Sequence, residues 1–264
     1  MTRFHPTPPL RPASIHDPLG TCGLLPSLRF ALALIVLLGG SLAAAEEPAN
    51  AETESAEDTK QAAEKKNVTR LFNGKTLEHW KPVDFGGQGD VEVQDGLLVI
   101  EMGQPLTGIV WDGPELPKLG YEISLEAKRT QGSDFFVGLT FPVKESHCSL
   151  ILGGWGGALT GLSSLNGQDA SENFTTNFYS FDTDEWYKVR LRVTDEKILG
   201  WVNDELLVDV DHTEYRLSVR LEMDLCRPLG LATFQTEGRY RNFTLRKLTA
   251  EESASDSSPE AESK

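Results

Sequence analysis

Apolar residues recur along this chain with a period of two, and no long stretch keeps a helical period. Tyr121, Ile123, Leu125 and Ala127 alternate with Glu122, Ser124, Glu126 and Lys128. Tyr187, Val189, Leu191 and Val193 alternate with Lys188, Arg190, Arg192 and Thr194. Each pattern predicts a strand with one buried and one wet face. Val91–Gln94 and Leu97–Ile100 flank Asp95-Gly96, a pair suited to a primed turn, and so predict a hairpin. Ile198–Val202 and Glu205–Val210 follow turns at Asp195-Glu196 and Asn203-Asp204. Further strands are expected at Tyr215–Leu221, Leu229–Gln235 and Arg241–Leu248. Two runs are apolar almost throughout, Phe135–Phe141 and Cys148–Leu152, with the polar turn Pro142–Ser146 between them. They predict the middle of a two-layer core, with Phe135–Phe141 central and buried. Many short strands joined by Gly, Asn and Asp turns make the expected class all-β, a two-sheet antiparallel sandwich or jelly roll.

After these two runs comes Gly153-Gly154-Trp155-Gly156-Gly157, an indole flanked by two glycines on each side. Glycine permits positive φ and close approach of the backbone to a ligand. Trp155 is thus a candidate platform for a sugar ring. The alternative is a tryptophan packed over its own strands, with glycines for tight turns.

The ends of the chain read differently. Arg3, Arg11 and Arg29 precede the apolar run Phe30–Leu38 and the small residues Gly39–Ala45, the pattern of a secretory signal peptide over 1–45. Residues 46–66 form an expected disordered acidic linker, and 251–264 an expected disordered acidic tail. One domain over 67–250, about 180 residues, can bury a substantial interior. The formal charge is −15 overall and −9 for that domain, which argues against nucleic acid and against an anionic membrane surface as partners. No membrane association is expected after signal cleavage. Cys148 and Cys226 are the cysteines beyond the leader, and they are expected to be unpaired.

Three stretches resemble one family. Leu71-Phe72-Asn73-Gly74-Lys75 followed by Trp80 resembles its opening. Glu185-Trp186-Tyr187-Lys188-Val189-Arg190, then Trp201-Val202-Asn203-Asp204, resembles its tryptophan strand and hairpin. Leu229–Gln235 and Tyr240–Leu248 resemble its closing pair of strands. The family is the 3-keto-disaccharide hydrolase domain, formerly a domain of unknown function, common in secreted proteins of planctomycetes and Bacteroidetes. The resemblance implies a concanavalin-A-like lectin/glucanase jelly roll and an exported, periplasmic or secreted, carbohydrate-active protein. The chain departs from the family pattern at 132–138 and 147–152, in strands that line the concave face of such jelly rolls.

A ketone at sugar C3 makes the C2 proton acidic. A base removes it, and the enolate expels the substituent at C1, so the paired carboxylates of ordinary glycosidases are not needed. His147 is the candidate base: alternation puts Cys148, Leu150 and Leu152 on one face and His147 on the other, outward beside the Trp155 loop. Asp134, just before the apolar strand, is a candidate acid, metal ligand or turn residue. Glu172 and Asn173, in a polar loop, are candidate sugar-binding residues or ligands of a structural Ca²⁺. Gln235 and Arg241 are candidate substrate contacts, Arg241 as an enolate stabiliser. No cofactor is called for, and no zinc spacing, P-loop, dinucleotide fingerprint or EF-hand is present. The expected activity is cleavage of the glycosidic bond of a 3-keto-glycoside; the alternative is a non-catalytic carbohydrate-binding or cell-surface module. The expected partner is a carbohydrate.

Overall fold

The computed structural model describes residues 67–255, so the expected leader, the linker and the tail beyond 255 lie outside the described residues. The first five residues of the expected tail belong instead to a short helix, α1 (Ala250–Ser255), in which Glu252 bridges back to Arg246 at 2.7 Å.

Two antiparallel sheets make the body. The first runs β13 (Glu205–Asp211), β12 (Lys197–Val202), β11 (Tyr187–Val193), β6 (Tyr121–Gly132), β15 (Thr236–Lys247), β4 (Leu97–Ile100) and β3 (Val91–Gln94), with β1 (Val68–Arg70) added on β15. The second runs β10 (Asn177–Phe178), β9 (Leu159–Ser163), β8 (Ser146–Gly153), β7 (Val137–Val143), β14 (Gly230–Phe234), β5 (Leu106–Trp111) and β2 (Trp80–Pro82). The class is thus all-β, a two-sheet antiparallel jelly-roll sandwich.

Alternation explains the first sheet directly. Tyr187 pairs with Ala127 and Val193 with Tyr121, so the inward residues of β6 and β11 lie side by side, and all are buried. Opposite them, Leu139, Phe141, Cys148, Leu150, Leu152, Leu162 and Leu231 close the core from the second sheet. Burying each large apolar side chain contributes about 1.5–3 kcal/mol. The polar tips that come with the aromatics find carbonyls: Tyr121 donates to Pro142 O at 2.6 Å, Trp80 to Leu71 O at 2.7 Å, and Tyr240 to Phe136 O. Asp95 and Gly96 take φ of 52° and 81°, as the hairpin requires.

The strand β7 sits fourth of seven in the second sheet and is buried along its whole length. The expected turn at 142–146 shrinks to Lys144-Glu145, because Pro142 and Val143 stay paired with His147 and Ser146. One expected strand does not form. Tyr215–Leu221 bonds at Arg216 and Ser218 to Asn166 and Ser164, and the chain then winds into a 3₁₀ strap, Leu221–Cys226. Cys148 and Cys226 are both free and buried, with burial pushing each thiol up to about 12. Cys148 belongs to the core between the sheets and Cys226 to a cluster with Val83, Met223 and Ala232, so they lie on opposite sides of the second sheet.

Candidate functional site

The second sheet also carries a floor on its outer face. One row across it is Gly108, Ala232, Gly138, Ile151 and Gly161. The next row holds Thr140, Ser149 and Ser163, with Thr140 and Ser149 hydroxyls 2.8 Å apart. Small residues there let other chain segments settle close. Ala170 of the 166–176 loop packs with Ile151 and Leu159, and the 3₁₀ strap seats Met223 and Cys226 against Ala232. A Cβ on Gly230 would come within 2.6 Å of Cys226, so that glycine is what allows the strap to lie on β14. Between the loop, the strap and the turn after β8 is a groove of about 290 Å³ lined by Leu106, Phe135, Ile151, Trp155, Met223 and Phe234, with Asp134, Ser163, Arg220 and Glu222 as its polar groups.

Trp155 forms one wall and is 46% exposed. Its backbone is left-handed, φ 49°, and Gly156 follows at 96°. Asp134 holds this turn: Oδ1 accepts from the amides of Phe135 (2.8 Å) and Trp155 (3.2 Å), and Oδ2 from Gly156 (3.3 Å). Beneath it, the buried Arg129 donates to the carbonyls of Asp134, Gly157 and Phe181. Burial lowers the Arg129 pKa, and neighbouring Tyr187 and Asp134 oppose that. Of the three roles open to Asp134, these bonds are those of a turn residue: it shapes the loop that presents Trp155.

The opposite wall carries the charge. Arg220 bonds Glu222 through Nε at 2.6 Å and Asp169 of the loop through Nη1, tying strap to loop across the groove. Burial works against the Arg220 charge, but the bond to Glu222 and the field of both carboxylates outweigh it and raise its pKa.

Several expected residues lie elsewhere. His147 does share a face with Ser149 and Ile151, but it is four residues from Ile151, about 13 Å along the strand, and does not line the groove. It lies away from the Trp155 loop. Burial lowers its pKa, Arg227 adds to that, and Asp224 opposes; its Nδ1 is buried without a partner. Thr233, on the other face of β14, points into the sandwich, and the groove-facing residues of β14 are Ala232 and Phe234. Gln235 sits where the chain leaves that strand, φ 45°, its amide on Pro105 O. Arg241 is on the first sheet, paired with Glu126 at 2.7 Å and stacked on Trp186, so it does not reach the groove. Asn173 is buried and fully bonded: Nδ2 donates to Leu162, Gln168 and Asp169 carbonyls, and Oδ1 accepts from Thr175. It pins the loop rather than meeting a sugar. Glu172 is exposed on that loop and does not line the groove. With Asn173 engaged, the loop has no ready set for a structural Ca²⁺; among the described residues no three His, Cys, Asp or Glu side chains converge on a metal position.

Arg220, Glu222, Phe234, Leu106, Met223 and Ser163 carry no signal in the sequence that singles them out. Arg220 meets Asp169 across 51 residues, and no spacing rule links them. Together these groups offer an aromatic wall for the apolar face of a ring, and a guanidinium beside a carboxylate for a polarised oxygen.

A family model, the 3-keto-alpha-glucoside-1,2-lyase-like domain, matches residues 67–246. No curated protein matches the chain in sequence. Similar solved structures include a candidate glycosyl hydrolase from Parabacteroides distasonis ATCC 8503 (16% identity, TM-score 0.45, covering 72% of this chain and 97% of that one). The carbohydrate binding module CBM66 from Bacillus subtilis is another (10% identity, TM-score 0.44, 64% and 96%). A third is a Bacillus subtilis protein of unknown function with a galectin-like fold (12% identity, TM-score 0.47, 68% and 94%). At these scores they carry no weight for the site.

Proposed function

The chain belongs to the 3-keto-alpha-glucoside-1,2-lyase-like domain family, a carbohydrate-related one, and from that premise we propose that it is an exported enzyme that breaks the C1–O bond of a 3-keto-glycoside by 1,2-elimination. The observation that carries this reading is the pairing of the exposed Trp155 face with the Arg220–Glu222 couple across one groove. The sugar stacks on Trp155. Arg220 stabilises the enolate oxygen that develops at C3, the kind of preorganised positive group that supplies most of such catalysis. Glu222 takes the C2 proton, the C1–O bond breaks as the C1–C2 double bond forms, and the departing oxygen takes a proton from a water molecule, whose hydroxide is neutralised by the proton Glu222 then gives up.

A second reading has its own observation. Both carboxylates that line the groove are already bonded, Asp134 to three amides and Glu222 to Arg220. A groove without a free base fits a non-catalytic carbohydrate-binding module. The two readings separate in one assay with purified protein and 3-keto-trehalose. Elimination is expected to release glucose, with Trp155→Ala raising KM about tenfold or more. Saturable binding with no glucose released would favour the module.

A further inference from the structure

Resting on the reading of this groove as the sugar site, we infer that its substrate is a glycoside whose departing group is a single aromatic ring rather than a second sugar. The groove has two chemically different ends. Ser163 on β9 and the Arg220–Glu222–Asp169 cluster make one. The other, over β14 and β5, is Leu106, Phe135, Met223 and Phe234. Leu106 and Phe234 are cross-strand partners, and the Phe135 and Phe234 rings lie 5.8 Å apart, inclined at 40°.

The side chains of this second end offer a hydroxyl nothing to bond, and the carboxylates beside it are engaged, Asp134 by three amides and Glu222 by Arg220. The four side chains of this end carry no donor and, apart from the weak thioether of Met223, no acceptor. The backbone there is engaged as well: the Phe234 amide bonds Phe135 O, and the Gln235 amide bonds Pro105 O. A second sugar would press several hydroxyls against that wall, which costs free energy for each one left without a partner. An aromatic ring meets the same wall favourably, through offset contacts with two tilted phenyl rings and a sulfur–ring contact with Met223.

Size agrees. About 290 Å³ lies at the low end for small-ligand sites, room for two rings and no longer glycan. From β9 to β14 is three strand steps, about 14 Å, the span of a hexose joined through oxygen to one six-membered ring. The sugar lies at the charged end and the aglycone ring between Phe135, Phe234, Leu106 and Met223.

The test compares binding of two unoxidised and therefore unreactive glycosides, phenyl α-glucoside and trehalose, so that leaving-group reactivity plays no part. Calorimetry on the full protein is expected to show phenyl α-glucoside binding about tenfold tighter or more, the scale of a matched apolar contact. Phe234→Ser, at a strand end beside the groove, is expected to remove that preference by weakening phenyl α-glucoside binding about tenfold; circular dichroism and Phe234→Leu, which keeps the apolar wall and the preference, guard against misfolding. Equal or tighter binding of trehalose, an equal loss of both ligands in Phe234→Ser, or no binding of either, overturns the inference. If phenyl α-glucoside is preferred but neither 3-keto derivative is cleaved, the catalytic reading falls and the aromatic preference stands.

Discussion

Methionine in place of Arg220 is expected to lower kcat/KM for a 3-keto-glycoside by about 10²- to 10³-fold, the loss that follows removal of one preorganised donor from a developing oxyanion. Nε and Nη1 are held by Glu222 and Asp169, so the guanidinium is oriented before a ligand arrives. Holding it there lets Nη2 approach the enolate oxygen without reorganisation. The fold should tolerate the change. The side chain is 44% exposed, and ion pairs at that exposure contribute about 0–1 kcal/mol. Methionine also keeps an unbranched stem of similar length. Lysine at 220 should recover only part of the activity, because an ammonium cannot reproduce the planar fork between two carboxylates. Steady-state kinetics on both variants, beside thermal melts, decides the matter. An Arg220→Met variant within threefold of wild type would remove Arg220 from the proposed reaction.

Alanine at Gly238 should cost about 3 kcal/mol or more of folding stability, about 10 °C in Tm for a domain of this size. Its Cβ would lie 2.5 Å from Tyr240 Cζ, and closer still to the hydroxyl oxygen. Tyr240 cannot step aside: it is fully buried, and its hydroxyl is fixed on Phe136 O. The ring folds back over its own strand just after the irregularity between Glu237 and Gly238, so the residue two before it must lack a side chain. Relief would require giving up the buried hydrogen bond, itself about 1–3 kcal/mol when its acceptor is stranded. Adding Tyr240→Phe to Gly238→Ala should recover part of the loss, since the hydroxyl is the nearest obstacle. Urea melts of the single and double variants test this; a loss under 1 kcal/mol for Gly238→Ala would show that the strand can shift here.

The first sheet is legible in the sequence because one of its faces is wet. In β6 and β11 the alternation of Tyr121 through Lys128 and of Tyr187 through Thr194 names the inward side without ambiguity. The second sheet is covered on both faces, by the first sheet on one and by loop and strap on the other. Its strands therefore read as continuous apolar runs, and period two no longer says which parity faces the core. That is why Gln235 stands out as a candidate contact while Phe234 is the residue that meets the groove. For His147 the parity holds and the position along the strand does not, because alternation carries no information about which end of a strand a site occupies. Trp155 is legible from its four flanking glycines, three of which have positive φ. Asp134 stands out in the sequence, but its role does not, since its bonds are to amides 21 and 22 residues away. The strap is hidden because Tyr215–Leu221 alternates like a strand.

The two thiols, on opposite sides of one sheet, report separately on how the molecule opens. Cys148 is walled in by both sheets, so a thiol reagent reaches it only when the sandwich comes apart as a whole. Cys226 is the last residue of the six-residue strap and is held with Met223 in a small apolar cluster against the sheet, so lifting that strap alone uncovers it. Native-state alkylation should therefore run at two rates, the faster at Cys226. That faster rate measures how often the roof over this groove lifts, in solution and without any ligand.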